Sequence, residues 1–272
     1  MTRDEVMFPL GKNNHVDRVS SKLAKTKVLL QNRTLAKYVP TTRPYSPKQL
    51  LAMLRQHGMV YVKPDTGSLG IGVVRVDRTK RGYRYQSGTR TYTFKTFRAM
   101  RLSLQKKISG RCYLVQKGIH VLRRQGRPFD FRIMIQKNPS RRWECTGTAG
   151  RVAHPSKIVS NGSQGGTIYS AAALMNPIAG KRRTAQLQRS MNRIALATAA
   201  QFGRTYPAMN ELGLDLAVDR KLKPWILEVN TRPDPCPFTK LNNTAIIRKI
   251  VRYAKAYGRR YCLTCSKAKK AN

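Results

Sequence analysis

The sequence lacks any long apolar segment. Its longer apolar runs, such as residues 194–200, fall far below the roughly 20 residues that a membrane-spanning helix requires. The first residues lead into no apolar core of signal-peptide length. With 272 residues and 40% hydrophobic content, the chain can bury a full core as one large domain or two modest lobes. We therefore expect a folded, cytoplasmic protein without a transmembrane segment.

Cysteine and histidine are too few and too scattered for the common disulfide or metal frameworks. The five cysteines are odd in number and widely spaced, so a disulfide framework is not expected. Cys262 and Cys265 form a single Cys-x-x-Cys pair, which supplies at most two zinc ligands. The four histidines are dispersed along the chain and indicate no metal cluster.

Acidic residues are scarce as well. The chain has 12 Asp and Glu against 54 Lys and Arg, which gives a formal net charge of +42. The stretches 78–129, 145–210 and 235–272 contain no acid at all. A positive field of this size attracts polyanions such as nucleic acid, anionic lipid or acidic polymers. Two interpretations stay open: a true polyanion partner, or a cell whose proteins are basic in general.

Helical and strand patterns mix without the steady βαβ rhythm of a doubly wound sheet, which predicts an α+β fold with antiparallel sheets. Helices are predicted at 22–38, 47–57, 96–107, 184–202 and 241–257, and strand hairpins at 83–94, 129–152 and 211–230. A basic segment at 117–127 with little apolar pattern predicts a boundary between lobes. The expected parts are an irregular lead-in (1–20), a first lobe (21–117), a second lobe (118–257) and a frayed basic tail (258–272).

Four of the twelve acids fall between residues 211 and 228: Glu211, Asp215, Asp219 and Glu228. A hairpin turning at 220–223 would pair Asp215 with Glu228, Ala217 with Ile226, and Asp219 with Pro224. Because side chains alternate along a strand, Asp215, Glu228 and Asn230 would share one face. The other face would carry the apolar residues that pack into a core: Leu212, Leu214, Leu216, Val218, Trp225, Leu227 and Val229.

This arrangement of carboxylates favours a metal site. Like charges placed opposite each other destabilise a bare sheet, and a divalent cation would remove that penalty. Oxygen ligands on one face suit Mg²⁺, which completes its shell with water and phosphate oxygens, and Mn²⁺ is an alternative. The competing interpretation is a solvated face that carries acids by chance. In so basic a chain lysine would be expected there, so we interpret Asp215, Glu228 and Asn230 as metal ligands.

A glycine-rich loop follows the predicted strand that ends near Lys63. Residues 64–72 read Pro-Asp-Thr-Gly-Ser-Leu-Gly-Ile-Gly. Such a loop lets backbone N–H groups approach phosphate oxygens, and Lys63 can neutralise phosphate charge. The spacing fits neither a Walker A loop nor the dinucleotide fingerprint. A glycine-rich hairpin turn is the commoner explanation, so the loop indicates phosphate binding only in combination with the carboxylate hairpin.

Taken together, these residues resemble the YheC/YheD family of endospore coat-associated ATP-grasp proteins. The resemblance covers about residues 20–245 and is carried by seven segments: LAKYVP (35–40), YVKP (61–64), GSLGIG (67–72), VQKGI (115–119), PFDFR (128–132), NGSQGG (161–166) and LDLAVD (214–219). It implies two lobes with antiparallel sheets flanked by helices, with ATP between the lobes and Mg²⁺ at the phosphates. Asp215, Glu228 and Asn230 would be the metal ligands.

The resemblance also implies roles for individual residues. The implied nucleotide-binding residues are Lys22 and Lys63 at the phosphates, Gln116, Lys117 and Ile119 in a hinge against adenine, and Gly67, Ser68, Gly70 and Gly72 in a loop over the phosphates. Arg132 and Arg151 are candidates to stabilise the transferred phosphoryl group or a substrate carboxylate, because a guanidinium is a planar bidentate donor. Asp130 would orient Arg132 or join the metal shell. Some ATP-grasp ligases place an arginine two residues before the first metal carboxylate, where this chain has Gly213.

ATP-grasp enzymes typically convert a carboxylate to an acyl phosphate, which an amine or thiol then attacks. The implied function is thus an ATP-dependent ligase for an unidentified acceptor, acidic or polymeric and associated with the spore. Two alternatives stay open: a polyanion-binding structural protein of the spore layers with weak or no turnover, and a kinase-like transfer to a hydroxyl. Many members of the family carry a further N-terminal domain, so we expect part of the substrate surface to be missing or supplied by a partner.

Overall fold

The computed structural model describes residues 18–108, 110–155, 166–265 and 268–271. The helices found there are α1 (Lys22–Leu30), α2 (Arg33–Ala36), α3 (Pro47–His57), α4 (Phe97–Ile108), α5 (Ala171–Thr205), α6 (Cys236–Thr239) and α7 (Thr244–Ala256). The strands are β1 (Thr42–Pro44), β2 (Met59–Pro64), β3 (Val74–Thr79), β4 (Gly82–Ser87), β5 (Arg90–Phe94), β6 (Tyr113–Lys117), β7 (Arg123–Arg124), β8 (Arg127–Lys137), β9 (Trp143–Val152), β10 (Thr167–Tyr169), β11 (Glu211–Val218), β12 (Pro224–Asn230) and β13 (Lys269–Lys270). The predicted lead-in lies outside the described residues except for 18–20, and so does the glycine-rich segment 161–166 except for Gly166.

The first sheet has six antiparallel strands in the order β1-β6-β2-β3-β4-β5. Helices α3 and α4 cover one of its faces, where Leu50, Leu54, Met100, Leu104, Val60, Val62, Val76 and Tyr85 form the core. Helix α3 begins where Ser46 Oγ accepts a hydrogen bond from Gln49 N (3.1 Å) and ends at Gly58, whose φ of 71° favours glycine. Because side chains alternate along β2, Tyr61 and Lys63 lie on the face opposite Val60 and Val62.

The second sheet runs in the order β12-β11-β8-β9-β10-β13, with β7 paired to β8. Its strands are antiparallel except for β10 and β13, which are parallel. Phe129, Phe131 and Ile133 of β8 pack with α5 on one face, while Met134 contributes to a smaller core with α6 and α7 on the other. The alternate residues Asp130 and Arg132 therefore lie on the same face as Met134.

Helices α1 and α2 correct the predicted lobe assignment. The sequence predicted one helix over 22–38 in the first lobe, but the chain forms two helices separated at Asn32. The side chain of Asn32 accepts hydrogen bonds from the backbone of Thr34 (3.0 Å) and Leu35 (3.1 Å), which begins a new helix. Val28 and Leu35 pack into the core of the second lobe. The N-terminal helices therefore belong to that lobe, although they precede the first sheet in the chain.

The predicted frayed tail is attached to the second lobe. Strand β13 pairs with β10, and Cys265 forms a disulfide with Cys236. The expectation of no disulfide is therefore wrong, because Cys236, distant in sequence, bonds to Cys265. Cys262 remains a free and exposed thiol. Within the described ranges no helix is long and apolar enough to span a membrane.

Candidate functional site

A cleft of about 950 Å³ lies between the two sheets. Strand β2, strand β6 and the glycine-rich loop form one side, and β8, β11 and β12 form the other. Ten residues that the sequence predicted for the site line it: Lys22, Lys63, Gly67, Ser68, Gly70, Gln116, Lys117, Ile119, Asp215 and Glu228. The remaining predicted residues, Gly72, Asn230, Arg132 and Arg151, do not line the cleft but contact residues that do.

The glycine-rich loop is tied to the beginning of helix α1. Lys22 Nζ donates a hydrogen bond to the carbonyl of Gly67 (3.0 Å), and Asp65 accepts one from the backbone of Leu23 (2.8 Å). Gly67 and Gly70 have φ values of 103° and 72°, which side chains rarely adopt. The loop thus bends sharply at the mouth of the cleft, with its backbone close to Lys22.

Gly72 has a packing role at the end of this loop. Its φ is 75°, and a Cβ placed there would lie 3.0 Å from Pro64 Cγ and 3.1 Å from the hydroxyl of Tyr113. Both neighbours belong to the first sheet, so a side chain at this position would push the loop away from it. Gly72 therefore holds the loop against the sheet, and it is not exposed to the cleft as Gly67 and Gly70 are.

Lys63 lies at the centre of the side of the cleft that the first sheet forms. Its Nζ donates a hydrogen bond to Gln116 Oε1 (2.7 Å), and Gln116 Nε2 in turn donates to Thr42 Oγ1 (3.1 Å). Burial lowers the pKa of Lys63 to about 8. Among the described residues no carboxylate lies within ion-pair distance of this ammonium group. Its other partner is the ring of Tyr61, 5.5 Å from Nζ. A partly buried cation that contacts a neutral amide and a ring favours the binding of an anion.

Asp215 is the centre of a buried charge network on the side of the cleft that the second sheet forms. Register places it opposite Arg132 on β8, and Arg132 donates to both of its carboxylate oxygens, with Nη2 at 3.1 Å. Arg151 Nη2 lies 3.0 Å from Asp215 Oδ2, and Arg151 also donates to both oxygens of Asp130, from Nε to Oδ1 and from Nη2 to Oδ2, each at 2.7 Å. Burial alone would raise the pKa of Asp215, but the two guanidinium groups outweigh it and hold the pKa at about 2.

The network corrects one expectation about the arginines. Asp130 orients Arg151, and not Arg132 as the shared strand face suggested, because β8 pairs Asp130 directly opposite Arg151 on β9. Both arginines are buried and bind carboxylates of the protein itself. A side chain at Gly213 would approach Pro233 Cβ to 2.7 Å and Arg132 Cδ to 3.3 Å. Arg132 therefore reaches from the neighbouring strand into the space beside Gly213.

The carboxylate hairpin contains a β-bulge that the sequence did not reveal. Asp215 is opposite Glu228, as predicted, but the register shifts between Asp215 and Leu216. Ala217 therefore pairs with Trp225 and not with Ile226, and Val218 takes the place beside Pro224 that was predicted for Asp219. A bulge rotates the side chains that follow it. Ile226 consequently packs in the core, and Leu227 lines the cleft beside Glu228, whereas Trp225 and Leu227 were predicted for the core face.

The other two clustered acids are structural. Asp219 lies in the hairpin turn, where its carboxylate accepts hydrogen bonds from the backbone of Lys221 and Lys223 and from Trp225 Nε1 (2.9 Å). Glu211 is buried at the far end of β11 and is bound by the side chains of the C-terminal tail: Tyr257, Arg259 and Tyr261. Of the four acids grouped in the sequence, only Asp215 and Glu228 reach the cleft.

Glu228 is bound by two lysines of helix α1. Lys22 Nζ and Lys25 Nζ each lie 3.9 Å from Glu228 Oε1. Sequence analysis missed Lys25, although its spacing of three residues from Lys22 on a predicted helix would have placed both on one face. Burial lowers the pKa of Lys25, and the nearby Glu228 opposes this shift. Apolar cleft residues were also missed, since their pattern does not differ from that of a core: Val73, Val121, Phe129, Ala217 and Leu227.

The donor set suits a divalent cation only in part. Asp215 and Glu228 offer carboxylate oxygens, and Asn230 Nδ2 lies 3.5 Å from Asp215 Oδ2, so its amide adjoins them. However, the described ranges contain no group of three or more Asp, Glu, His or Cys that could hold a metal ion. Both cleft carboxylates are also engaged by cations of the protein. The residues therefore fit a cation such as Mg²⁺ whose shell is completed by phosphate oxygens and water.

Comparisons with known proteins agree with this geometry. The model of a family described as YheC/D like ATP-grasp matches residues 14–260. The chain is 26% identical over 216 residues to the endospore coat-associated protein YheD of Bacillus subtilis (strain 168), a match that covers 75% of this chain and 47% of that protein. The chain spans about half the length of the curated relatives it matches.

Solved structures share the architecture at low sequence identity. D-cycloserine synthetase DcsG superimposes with a TM-score of 0.54 at 13% identity, covering 87% of this chain and 70% of that one. A biotin carboxylase complex with β,γ-ATP from Campylobacter jejuni gives a TM-score of 0.52 at 15% identity, covering 92% and 49%. At such identities the likeness concerns the fold alone.

Proposed function

The chain belongs to the YheC/D-like ATP-grasp family, and from that premise we propose that it binds ATP with Mg²⁺ in the cleft and acts as an ATP-dependent ligase. The predicted α+β ATP-grasp fold is confirmed by the family match and the structural neighbours. The observation that carries the proposal is the position of Lys63 and the glycine-rich loop, which face Asp215 and Glu228 across one cleft. A biotin carboxylase of the same fold, solved with β,γ-ATP, supports nucleotide binding.

The two walls suggest how the nucleotide lies. Lys63 and Lys22 are the cations that would bind phosphate oxygens, with the backbone of Gly67, Ser68 and Gly70 closing over them. Ile119 and Leu227 line the same cleft and offer apolar surface to an adenine ring. Gln116 and Lys117 complete this end, so the predicted hinge residues and the predicted phosphate residues occupy one continuous cavity.

In the proposed reaction a substrate carboxylate oxygen attacks the γ-phosphorus of ATP, and the bond to the β-γ bridging oxygen breaks. ADP leaves, and an amine or thiol then attacks the acyl carbon of the acyl phosphate and releases phosphate. Lys22 and Lys63 would hold the phosphates, so most of the catalysis is positioning and charge stabilisation. Bound Mg²⁺ would neutralise charge on the β- and γ-phosphates.

We assign Arg132 and Arg151 a positioning role in this scheme. Both guanidinium groups are buried and bind Asp215, so they fix its carboxylate at the wall of the cleft. Asp130 holds Arg151 from behind with two hydrogen bonds. Direct contact of either arginine with a phosphoryl group would require Asp215 to give up one of these partners, which makes positioning the simpler assignment.

The surface charge supports an acidic acceptor. Nine of the twelve acids lie in the described part of the chain, and each accepts a hydrogen bond or an ion pair within the protein. No helix in these ranges contains an acidic residue. In the described part of the chain the outward charge is therefore mostly Lys and Arg, which favours an acceptor that carries several negative charges.

Calorimetric titration tests nucleotide binding. We expect Mg²⁺ with a non-hydrolysable ATP analogue to bind the wild type, and Glu228→Gln to weaken binding by about tenfold or more. Glu144→Gln is the matched control, because Glu144 is bound by Lys249 and Tyr253 outside the cleft. A folded wild type that binds no nucleotide would refute the proposal. An acceptor screen for ADP release then separates ligase from kinase by product: a new amide or thioester against a phosphorylated hydroxyl.

The second candidate is a polyanion-binding structural protein of the spore. The net charge of +42 and the coat-associated relative favour it, and spore association is part of both proposals. Binding of DNA or polyglutamate should then weaken steeply with salt and be unchanged in Glu228→Gln. Binding that does not respond to salt would contradict this electrostatic interaction.

A further inference from the structure

Lys25 is a buried cation that has no role in the proposed function. Its residue is only 6% exposed, and its ammonium group lies 3.9 Å from Glu228 Oε1. No hydrogen bond from this group to any described residue is found. Buried charges are normally paired at close range and hydrogen-bonded, because desolvation is otherwise too costly. The single loose ion pair therefore leaves most of the binding capacity of Lys25 unused.

A small cavity adjoins the ammonium group. Its polar lining is formed by Lys22, Lys25, Thr26, Lys63, Gln116 and Glu228. Lys22, Lys63 and Glu228 also line the main cleft, so the two spaces adjoin. A lysine side chain has four rotatable bonds, and no hydrogen bond fixes this one. Lys25 can thus turn from Glu228 toward a ligand in the cleft.

The local charges indicate which ligand would attract it. Asp215 and Asp130 are matched by Arg132 and Arg151, so these four groups cancel. What remains around the two spaces is Glu228 with Lys22, Lys25, Lys63 and Lys117, a net charge of three positive units. ATP with one Mg²⁺ carries two negative units at neutral pH and would offset most of it. A divalent cation that takes Glu228 would at the same time displace the lysines, which then need a new anionic partner.

We infer that Lys25 is a third phosphate-binding lysine, which neutralises Glu228 in the empty site and turns to the phosphates when nucleotide binds, leaving that carboxylate to a divalent cation. This inference rests on the proposed function, since it needs ATP in the main cleft. It has two consequences that an activity assay would not detect. Lys25 opposes cation binding when nucleotide is absent, and it strengthens nucleotide binding when the cation is absent.

Lys25→Met tests both consequences, with Lys27→Met as the control because Lys27 is exposed on the same helix. Binding of ATP in EDTA is measured by calorimetry, and binding of Mn²⁺ alone by the loss of the free-ion electron paramagnetic resonance signal. We expect Lys25→Met to bind ATP about tenfold more weakly and Mn²⁺ about fivefold more tightly than wild type. Lys27→Met should match the wild type in both, and a Lys25→Met variant that does the same would overturn the inference.

Glu228→Gln gives an independent test if Lys25→Met does not fold. Removing the carboxylate frees the lysines, so ATP in EDTA should bind several-fold more tightly than in wild type, and weaker binding would overturn the inference. The result also separates the two proposals. If the wild type binds no ATP, the proposed function fails and the inference fails with it. If the wild type binds ATP but the Lys25 and Glu228 variants do not shift as stated, only the inference fails.

Discussion

Replacing Asp215 with asparagine removes one negative charge from the buried network at the cleft wall. Arg132 donates to both oxygens of this carboxylate and has no other carboxylate partner among the described residues. Arg151 keeps Asp130 but loses its 3.0 Å contact with Asp215. The variant side chain has nearly the same shape, yet its amide nitrogen would face guanidinium donors. Arg132 would then be a buried charge without a counter-charge.

The size of the effect follows from the pKa and from the burial. The arginines hold the pKa of Asp215 at about 2, below its ordinary 3.8, which corresponds to about 2–3 kcal/mol of stability. A lowered carboxyl pKa stabilises the fold above about pH 4, and this contribution is lost as the pH falls toward 2. Removing one partner of a buried pair generally costs about 3–5 kcal/mol. We therefore expect Asp215→Asn to lose about 3–5 kcal/mol of unfolding free energy at pH 7.

Urea unfolding followed by tryptophan fluorescence measures this loss in the right place. The chain has two tryptophans, Trp143 on β9 and Trp225 on β12, and both belong to the second sheet. Asp234→Asn is the control, because Asp234 is exposed and asparagine caps a turn about as well. The difference between wild type and Asp215→Asn should shrink as the pH falls from 4 toward 2. A loss below about 1 kcal/mol at pH 7 would refute the reasoning that the network stabilises this lobe.

Three further predictions concern other parts of the molecule. Because the pKa of Lys63 is about 8, this lysine loses its charge above that pH. Calorimetry should therefore show that the affinity for metal-free ATP falls between pH 7 and 9.5 in wild type but not in Lys63→Met. A flat wild-type profile would contradict this. Gly82→Ala should lower the free energy of unfolding by about 3 kcal/mol, since its Cβ would lie 2.2 Å from a carbonyl oxygen. Gly88→Ala, whose Cβ would lie in open space, should lower it by about 1 kcal/mol, and thermal unfolding measures both. Equal losses would be inconsistent with the packing. Reduction of the disulfide between Cys236 and Cys265, which closes a separation of 29 residues, should cost about 3–4 kcal/mol in urea unfolding, and an unchanged midpoint with dithiothreitol would argue against it.

The carboxylate hairpin shows how far strand alternation carries a prediction. An assumed turn at residues 220–223 predicted that Asp215 lies opposite Glu228, and the register agrees at this pair because the bulge offsets a one-residue difference near the turn. Alternation could not predict the bulge, because a period of two assumes an unbroken ladder. The signal was present in the spacing of Ile226 and Val229, two apolar residues three apart that both reach the core. Without the bulge only one of them could do so.

Other parts of the site depend on contacts between distant segments, which local patterns do not contain. The apolar face of α1 predicted a helix but not its partner, and the partner is the core of the second lobe. Lys25 enters the site only because of that docking. The arginine network likewise requires the order of three strands, which places Arg132 beside Asp215 and Arg151 beside Asp130. Residue types and spacing predicted the members, and the sheet topology determines which of them touch.

The internal engagement of the described acids has a consequence for how the protein behaves among charged surfaces. Its outward charge comes mainly from the side chains of Lys and Arg, which outnumber Asp and Glu by 54 to 12. Amines and guanidines have ordinary pKa values well above neutrality, so this part of the charge should hardly change between about pH 5 and pH 9. Binding to an anionic layer would then depend on ionic strength and not on pH. Such a protein would stay bound to an anionic surface when the pH changes and would dissociate when the ionic strength rises.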